Sequence, residues 1–398
     1  MMGALPRSIW ALGIVSLFMD VSSEMIHAVL PGFLISTIGA GALTLGVIEG
    51  VADAVASITK LFSGAVSDRI GKRKPLIVAG YTLSGLTKPV LALAQGVGFV
   101  LAARFADRIG KGVREAPRNA MISDMLLPSD RPAGFGLRQT LDTWGAVLGP
   151  LVAMLLLLVG ADARLIFIAA TVPALCAVLV LVFAVREPHT PAMIRPGSFR
   201  PWPLTRANAR RLPGRFWRVM VLVALFSLAR FSESFVLLRG IEGDFGAAWV
   251  PSVLVLLNLV YAVTAYPFAR WSLAIGTKPL LIGGLAVLVV ADLVLAMAST
   301  WPLVLIGAAL WGLHMGMTQG LLTAFAGDLA PDDLHGTAYG LFHLVAGLAL
   351  LAGSLGAGAL WKLFGPTPVF LAGGTIALIA LILVPAVHAP RPDGGEDD

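Results

Sequence analysis

Twelve long, mostly apolar stretches follow one another along the chain, near 8–35, 43–66, 75–95, 98–123, 134–160, 164–185, 216–239, 247–270, 279–298, 302–326, 336–361 and 367–387. A helix needs about 20 such residues to cross the hydrocarbon core of a bilayer. Backbone groups in lipid must find partners within their own segment, so these runs are predicted to be helices. A β-barrel would instead show short alternating segments. The pattern therefore predicts an all-α polytopic membrane protein. The connections are short except for one stretch, which divides the chain into bundles at 1–186 and 216–390, a linker at 187–215 and an acidic tail at 391–398.

The polar connections orient this array. Residues 186–218 carry eight arginines (186, 195, 200, 206, 210, 211, 215 and 218) against one acid, Glu187. The positive-inside rule places such a linker in the cytoplasm. The loop at 67–74 is also basic and falls on the same side, whereas those at 39–44, 95–98 and 299–302 are uncharged and 240–246 carries Glu242 and Asp244. Both termini are thus expected to be cytoplasmic. Residues Met1 to Arg7 are too short for a cleaved leader, and the first run reads as a retained helix.

Composition agrees with this picture: 57% of residues are hydrophobic and 13% charged, where a soluble domain averages about 25% charged. The net charge of +6 reports loop topology, and no nucleic-acid partner is expected. The single cysteine, Cys176, lies in an apolar run and excludes internal disulfides and thiolate metal clusters.

The halves repeat. Asp124-Met-Leu-Leu-Pro128-Ser-Asp130, followed by Gly134-Phe-Gly136-Leu137, returns as Asp328-Leu-Ala-Pro331-Asp-Asp333, followed by Gly336-Thr-Ala-Tyr-Gly340-Leu341, at an offset of 203 to 204 residues. Ile70-Gly71-Lys-Arg-Lys-Pro75-Leu76 returns as Ile275-Gly276-Thr-Lys-Pro279-Leu280 at 204 to 205. The second copy lacks an acid, with Leu273 standing about where Asp68 would.

Gly64-Ala-Val-Ser-Asp68-Arg69-Ile-Gly71-Lys72-Arg73 fits G-x-x-x-D-R-x-G-[KR]-[RK]. This resembles the signature loop between helices 2 and 3 of the major facilitator superfamily, and in particular its bacterial drug and organic-molecule proton antiporters. The resemblance implies two pseudo-symmetric six-helix halves with nested inverted repeats, working by alternating access. It also implies that helices 3, 6, 9 and 12 are outer supports while the rest line a cavity. Gly64, Asp68, Arg69, Gly71 and Lys72 would form a gate on the cytoplasmic side. There Arg114 or Arg118 could pair with Asp68 or Asp124.

The intramembrane charges follow that division. Segments 6 and 12 have none in their interiors, segment 3 only Lys88, and segment 9 only Asp292. On segment 4, Arg104, Arg108, Lys111, Glu115 and Arg118 fall within about 80° of arc and form a basic stripe about 20 Å long. They are either an anion-attracting wall or the partners of carboxylates on segments 1, 2 and 5. Arg104-Phe-Ala-Asp-Arg108-Ile-Gly110-Lys-Gly112 resembles a second superfamily motif, R-x-x-x-G-x-G-x-G, whose arginine is implicated in proton coupling. Arg108 stands where that motif has glycine.

Asp20, Glu24 and His27 share one face of segment 1. Two close carboxyl groups in low dielectric favour a shared proton, so Asp20 and Glu24, with Arg104, are the expected proton-coupling residues. The same trio could hold a divalent cation, but one helix face does not enclose an ion, and no metal or cofactor is expected. Segment 2 offers Glu49, Asp53 and Lys60, and segment 5 offers Arg138 and Asp142, whose i, i+4 spacing favours an internal ion pair. Segment 7 contributes Arg230 and Glu233. The milder segments 8, 10 and 11 contribute Asn258 and Tyr261, then His314, then His343. The expected substrate-binding set is His27, Glu49, Asp53, Arg108, Lys111, Glu115, Arg138, Asp142, Arg230, Glu233, Asn258, Tyr261 and His314.

Segment 5 carries Gly136, Gly145 and Gly149-Pro150, resembling the helix-5 antiporter motif G-x(8)-G-x(3)-G-P-x(2)-G-G, with Ala153-Met154 replacing the last pair. The resemblance implies proton-driven efflux across a bacterial-type inner membrane, and with the segment 1 acids and the segment 4 stripe the expected substrates are small anionic or zwitterionic molecules, carried by a monomer. Uptake of an organic anion or metal chelate is the alternative. A receptor or enzyme on the same fold is a more distant one. The sequence shows no soluble catalytic domain, and Asp107-Arg108-Ile109-Gly110-Lys111-Gly112 lacks the spacing of a nucleotide-binding loop. An enzyme is not expected, and the energy source would be the proton gradient.

Overall fold

The computed structural model describes residues 5–70, 72–187, 206–243, 246–318, 321–322, 329, 331 and 334–386. Its long helices are α1 (Arg7–Ser36), α2 (Ala42–Ile70), α3 (Lys74–Ala92), α4 (Val97–Met125), α5 (Arg131–Leu158) and α6 (Ala163–Ala184, with a single-residue interruption at Ala170). The second half holds α7 (Gly214–Glu242), α8 (Ser252–Ile275), α9 (Thr277–Met297), α10 (Trp301–Thr318), α11 (His335–Phe364) and α12 (Pro366–Leu383). Ten of these segments are long and apolar enough to cross a membrane by length and composition. The other two are α3 and α4; α4 is the most charge-laden helix in the chain.

Junctions follow local chemistry. Gly276 joins α8 to α9 at φ 83° and Gly365 joins α11 to α12 at φ 82°, a region in which a Cβ is strained. Gly276 occupies the second copy of the repeated loop, so there a tight turn replaces the charged sequence of the first. Asp162 caps α6 by accepting from the Leu165 amide at 2.8 Å.

The sequence pattern predicts one continuous helix over 216–239, but α7 is interrupted. Its first part ends at Ala229 and its second begins at Ser234, with Arg230 out of helical geometry at ψ 59°. No Pro or Gly marks the break, so residues 230–233 read as part of an apolar run. Polar side chains hold it open: Ser232 Oγ accepts from the Ser234 amide at 3.3 Å, and the Ser232 amide donates to Ser354 Oγ of α11 at 3.2 Å. Discontinuous helices of this kind are tolerated where they line a cavity.

Small residues set the contact between the halves. A Cβ on Gly46 would strike the Ser354 carbonyl, and one on Gly50 would meet Leu351 and Ser354 at 3.1–3.2 Å. From the other side, a Cβ on Gly358 would meet Ala42 O and Leu43 Cα at 2.8–2.9 Å, and one on Gly347 would meet Ser57 Cβ at 2.7 Å. These contacts run from mid-helix to the ends of α2 and α11 that lie away from the termini. Two hydrogen bonds join the halves on that side, His27 of α1 to Ser234 of α7 and Asn258 of α8 to the Ala146 carbonyl of α5. The halves are thus closed at the face opposite the termini. Lys111, near the middle of α4, is exposed, so among the described residues the space between the halves is reachable from the side away from that seam.

Candidate transport site

The α4 stripe splits along its length into a buried flank and an open one. On the buried flank, Arg104 Nη2 donates to both carboxylate oxygens of Glu49 at 3.0 Å, and its Nη1 lies 3.7 Å from Asp107. Lys88 Nζ donates to Asp107 Oδ1 at 3.0 Å and to Ser23 Oγ at 3.3 Å. These four side chains are 1–4% exposed and carry two charges of each sign. Their opposite charges compensate one another at membrane depth, where an unpaired charge is costly. Arg104 and Glu49 therefore sit inside a paired network, out of contact with the cavity in this conformation.

Arg114 and Arg118 turn to neutral groups of the N-terminal half. Arg114 donates to Ser84 Oγ at 2.5 Å and its guanidinium stands 4.6 Å from the centre of the Tyr81 ring. Arg118 donates to Ser16 Oγ at 2.8 Å and Tyr81 Oη at 2.9 Å. Asp124 pairs with Arg73 at 2.5 Å, so among the described residues neither arginine meets Asp124. The α2–α3 turn is anchored to the end of α6, where the Arg73 amide donates to Glu187 at 2.6 Å and Lys74 Nζ donates to the Val182 and Val185 carbonyls. Lys72 is exposed, and a Cβ on Gly64 would make ordinary contact with Ala116. The side chains of Asp68 and Arg69, and all of Gly71, lie outside the described residues.

The open flank faces the other half. Arg108 and Lys111 enter no ion pair within 4 Å among the described residues, and neither do Asp20 and Asp53. Arg108 is in electrostatic reach of Asp53, Glu49 and Glu24, and Asp20 is in reach of Asp142 and Lys111. Across the cleft, Arg230 and Glu233 flank the α7 break 3.9 Å apart, with Asp53 and Tyr261 in reach of Arg230. Arg138 holds Asp142 at 2.7 Å within α5, and Lys60 holds Glu115 at 2.7 Å between α2 and α4. The site is thus a mixed-charge lining supplied by α1, α2, α4, α5 and α7.

The acids of α1 go separate ways. Glu24 Oε2 accepts from His27 Nδ1 at 3.3 Å, while the other ring nitrogen of His27 meets Ser234 Oγ at 3.1 Å. Asp20 instead faces α4 and α5. The glycines of α5 press directly on this pair. A Cβ on Gly145 would meet Asp20 Cβ and the Leu17 carbonyl at 2.8 Å, and one on Gly149 would meet Glu24 Cβ at 2.6 Å and the Val21 carbonyl at 2.7 Å. Gly136, the first glycine of that spacing, has open space around it.

Besides Glu49, two expected binding residues are placed away from the open flank. Asn258 donates to the Ala146 carbonyl at 3.0 Å, spending its amide on the seam between halves. His314 is fully buried against α9, with Nδ1 donating to the Gly284 carbonyl at 2.8 Å. His343 lies on α11 in reach of Lys60 and Glu115. Sequence reasoning missed Ser232, Ser234 and Ser354. The available signal was the polar cluster Arg230-Phe-Ser232-Glu233-Ser234 within an apolar run. Among the described residues no group of three His, Cys, Asp or Glu side chains is arranged to hold a metal ion.

Two interrelated helical halves, closed on one face around a charged cleft, match a known architecture. The Major Facilitator Superfamily model matches residues 12–247 and 234–397. The chain belongs to this superfamily of membrane transporters. An uncharacterized MFS-type transporter of Methanocaldococcus jannaschii, MJ1317, is 33% identical over 96% of this chain and 94% of its own. The inner membrane transport protein YajR of Escherichia coli is 26% identical over 96% of this chain and 84% of its own. The multidrug resistance protein MdtH of Cronobacter sakazakii is 28% identical over 60% of this chain and 57% of its own. Among solved structures, a point mutant of the nucleoside transporter NupG superposes with a TM-score of 0.80 at 12% identity, covering 96% of this chain and 100% of that one. The human organic anion transporter MFSD10 superposes with a TM-score of 0.70 at 18% identity, covering 95% and 99%. At these identities the structural likeness establishes the fold.

Proposed function

We propose that this transporter exports small anionic or zwitterionic organic molecules in exchange for protons. The observation that carries this reading is the seating of Gly145 and Gly149 against the backbone of α1 at Asp20 and Glu24. The two carboxyl groups best placed to take up protons are thereby fixed on the helix spacing associated with antiport. The likeness to MdtH supports export of organic molecules.

Arg108 and Lys111 hold the anionic end of a substrate, having no competing partner within ion-pair distance among the described residues. Asp20, Asp53 and Glu233 hold a cationic end where one exists. A carboxyl group that carries a proton no longer attracts that end, so a proton and a zwitterion's cationic end compete for the same groups, which is the minimal chemistry of exchange. Glu24 also connects the site to the closed face. It holds His27, and His27 reaches Ser234 across the two halves. Protonating Glu24 removes the charge that orients the imidazole and weakens a bond that keeps this face shut. The cleft opens toward the termini, which on this reading are cytoplasmic, so the conformation is the loading state of an exporter.

The test uses inverted membrane vesicles with an imposed pH gradient and a panel of anionic, zwitterionic, neutral and cationic compounds. Accumulation of anionic or zwitterionic compounds that collapses with a protonophore is the expected result. No accumulation of any compound, or uptake by whole cells driven by the same gradient, would contradict export.

A further inference from the structure

Asp292 on α9 is 0% exposed, and both of its carboxylate oxygens are buried without a hydrogen-bond partner among the described residues. A bare carboxylate with neither donor nor cation is among the costliest groups to place at membrane depth, and carrying a proton removes most of that cost. The niche around it is built. A Cβ on Gly373 of α12 would meet Asp292 Oδ2 and Phe231 Cε1 at 2.8 Å, and one on Gly374 would meet Asp292 Cβ at 3.3 Å. Phe231 belongs to the α7 break and packs 5.5 Å from Trp311 of α10 and 5.7 Å from Phe370 of α12. Trp311 Nε1 is itself buried without a partner among the described residues.

The internal repeat relates these two unpartnered groups. Asp292 and Trp311 stand 204 residues after Lys88 and Asp107, which form the buried 3.0 Å ion pair of the first half. The position that holds a cation in one half holds an acid in the other, and its counterpart holds an N–H donor. Of the polar groups on the neighbouring elements, His314 on α10 bonds the Gly284 carbonyl through Nδ1 and keeps Nε2 buried without a partner among the described residues, Arg230 and Glu233 at the α7 break face each other, and α12 presents Gly373 and Gly374 to the acid. We propose that Asp292 is a second proton-binding site. It carries its proton in the conformation seen here. It releases that proton to cleft water when the α7 break rearranges, and the resulting carboxylate takes the Trp311 Nε1–H as donor.

This inference rests on the proton coupling proposed above, and the test separates the two. Cys176→Ala, Leu127→Cys and Ile275→Cys place spin labels at exposed positions on the terminus side of each half. The label separation is then followed by pulsed electron resonance in nanodiscs across pH, with protons as the only ligand. The carboxylic acid C=O band is recorded in parallel by infrared spectroscopy. Asp292→Asn is expected to remove one component of the pH response and one C=O band. Trp311→Phe is expected to keep the band and move that component to higher pH. If Asp292→Asn does not assemble, Asp292→Glu replaces it and should shift both the band and the response. A pH response and band pattern unchanged by these substitutions would overturn the Asp292 site alone. A wild-type separation that ignores pH altogether would overturn the proton-coupled reading beneath it.

Discussion

The two halves share one architecture and fill it with different chemistry. Where α3 and α4 meet, Lys88, Asp107, Arg104 and Glu49 form a neutral network of buried ions. At the equivalent meeting of α9 and α10 stand Asp292, Trp311 and Ala308, packed among aromatic rings. The first half is held by charges that satisfy each other, and the second by apolar packing around a few polar groups left alone. On the reading proposed above, the N-terminal half rocks as the more rigid body and the α7 break with its surroundings is the part that rearranges.

The largest expected effect tests the rigid side. Arg104→Met leaves Glu49 as an uncompensated buried charge, and Lys88→Met does the same to Asp107; each should cost about 3–5 kcal/mol of stability. Thermal unfolding of the purified protein should show both variants far below wild type, and wild-type melting in both would dissolve the contrast. The next effect concerns the seam. Gly46→Val puts a side chain into the Ser354 carbonyl, so the closed face should be wedged open. Spin labels on the face away from the termini should report a longer separation, and an unchanged distance would show that α2 and α11 repack cheaply.

Smaller effects sharpen the comparison. Ser234→Ala removes the His27 bond between the halves and should weaken the closed state by about 1 kcal/mol, read as a several-fold shift in the open-to-closed ratio. Lys60→Met breaks a pair that is 23% and 26% exposed. It should cost no more than about 1 kcal/mol in the same unfolding measurement. A loss as large as that of Arg104→Met would mean that the open flank is as structural as the buried one.

Much of this was legible in the sequence. That the chain folds as a succession of long apolar helices follows from apolar run lengths, with ten of them apolar enough to cross a membrane. The scarcity of charge in segments 3, 6, 9 and 12 foretold which helices stand outside the cleft. The internal pair of Arg138 and Asp142 followed from i, i+4 spacing. Pairing between helices was not legible, because Glu49 and Arg104 are brought together only by tertiary packing. The same holds for Lys88 and Asp107. The α7 break escaped detection because serine hydroxyls, rather than proline or glycine, satisfy its free backbone groups. The helical wheel of α4 placed Arg104 and Arg108 on one face. It could not show that one flank of that face would be buried against α2 and α3 while the other stayed open.

The central claim is that protons drive transport through the acids of α1. Its most direct test compares wild type with Glu24→Gln and Asp20→Asn in proteoliposomes, using a substrate found in the vesicle panel. Gradient-driven accumulation should be lost in at least one variant, while exchange of substrate across the membrane without a gradient persists. Full gradient-driven accumulation in both variants would contradict the account.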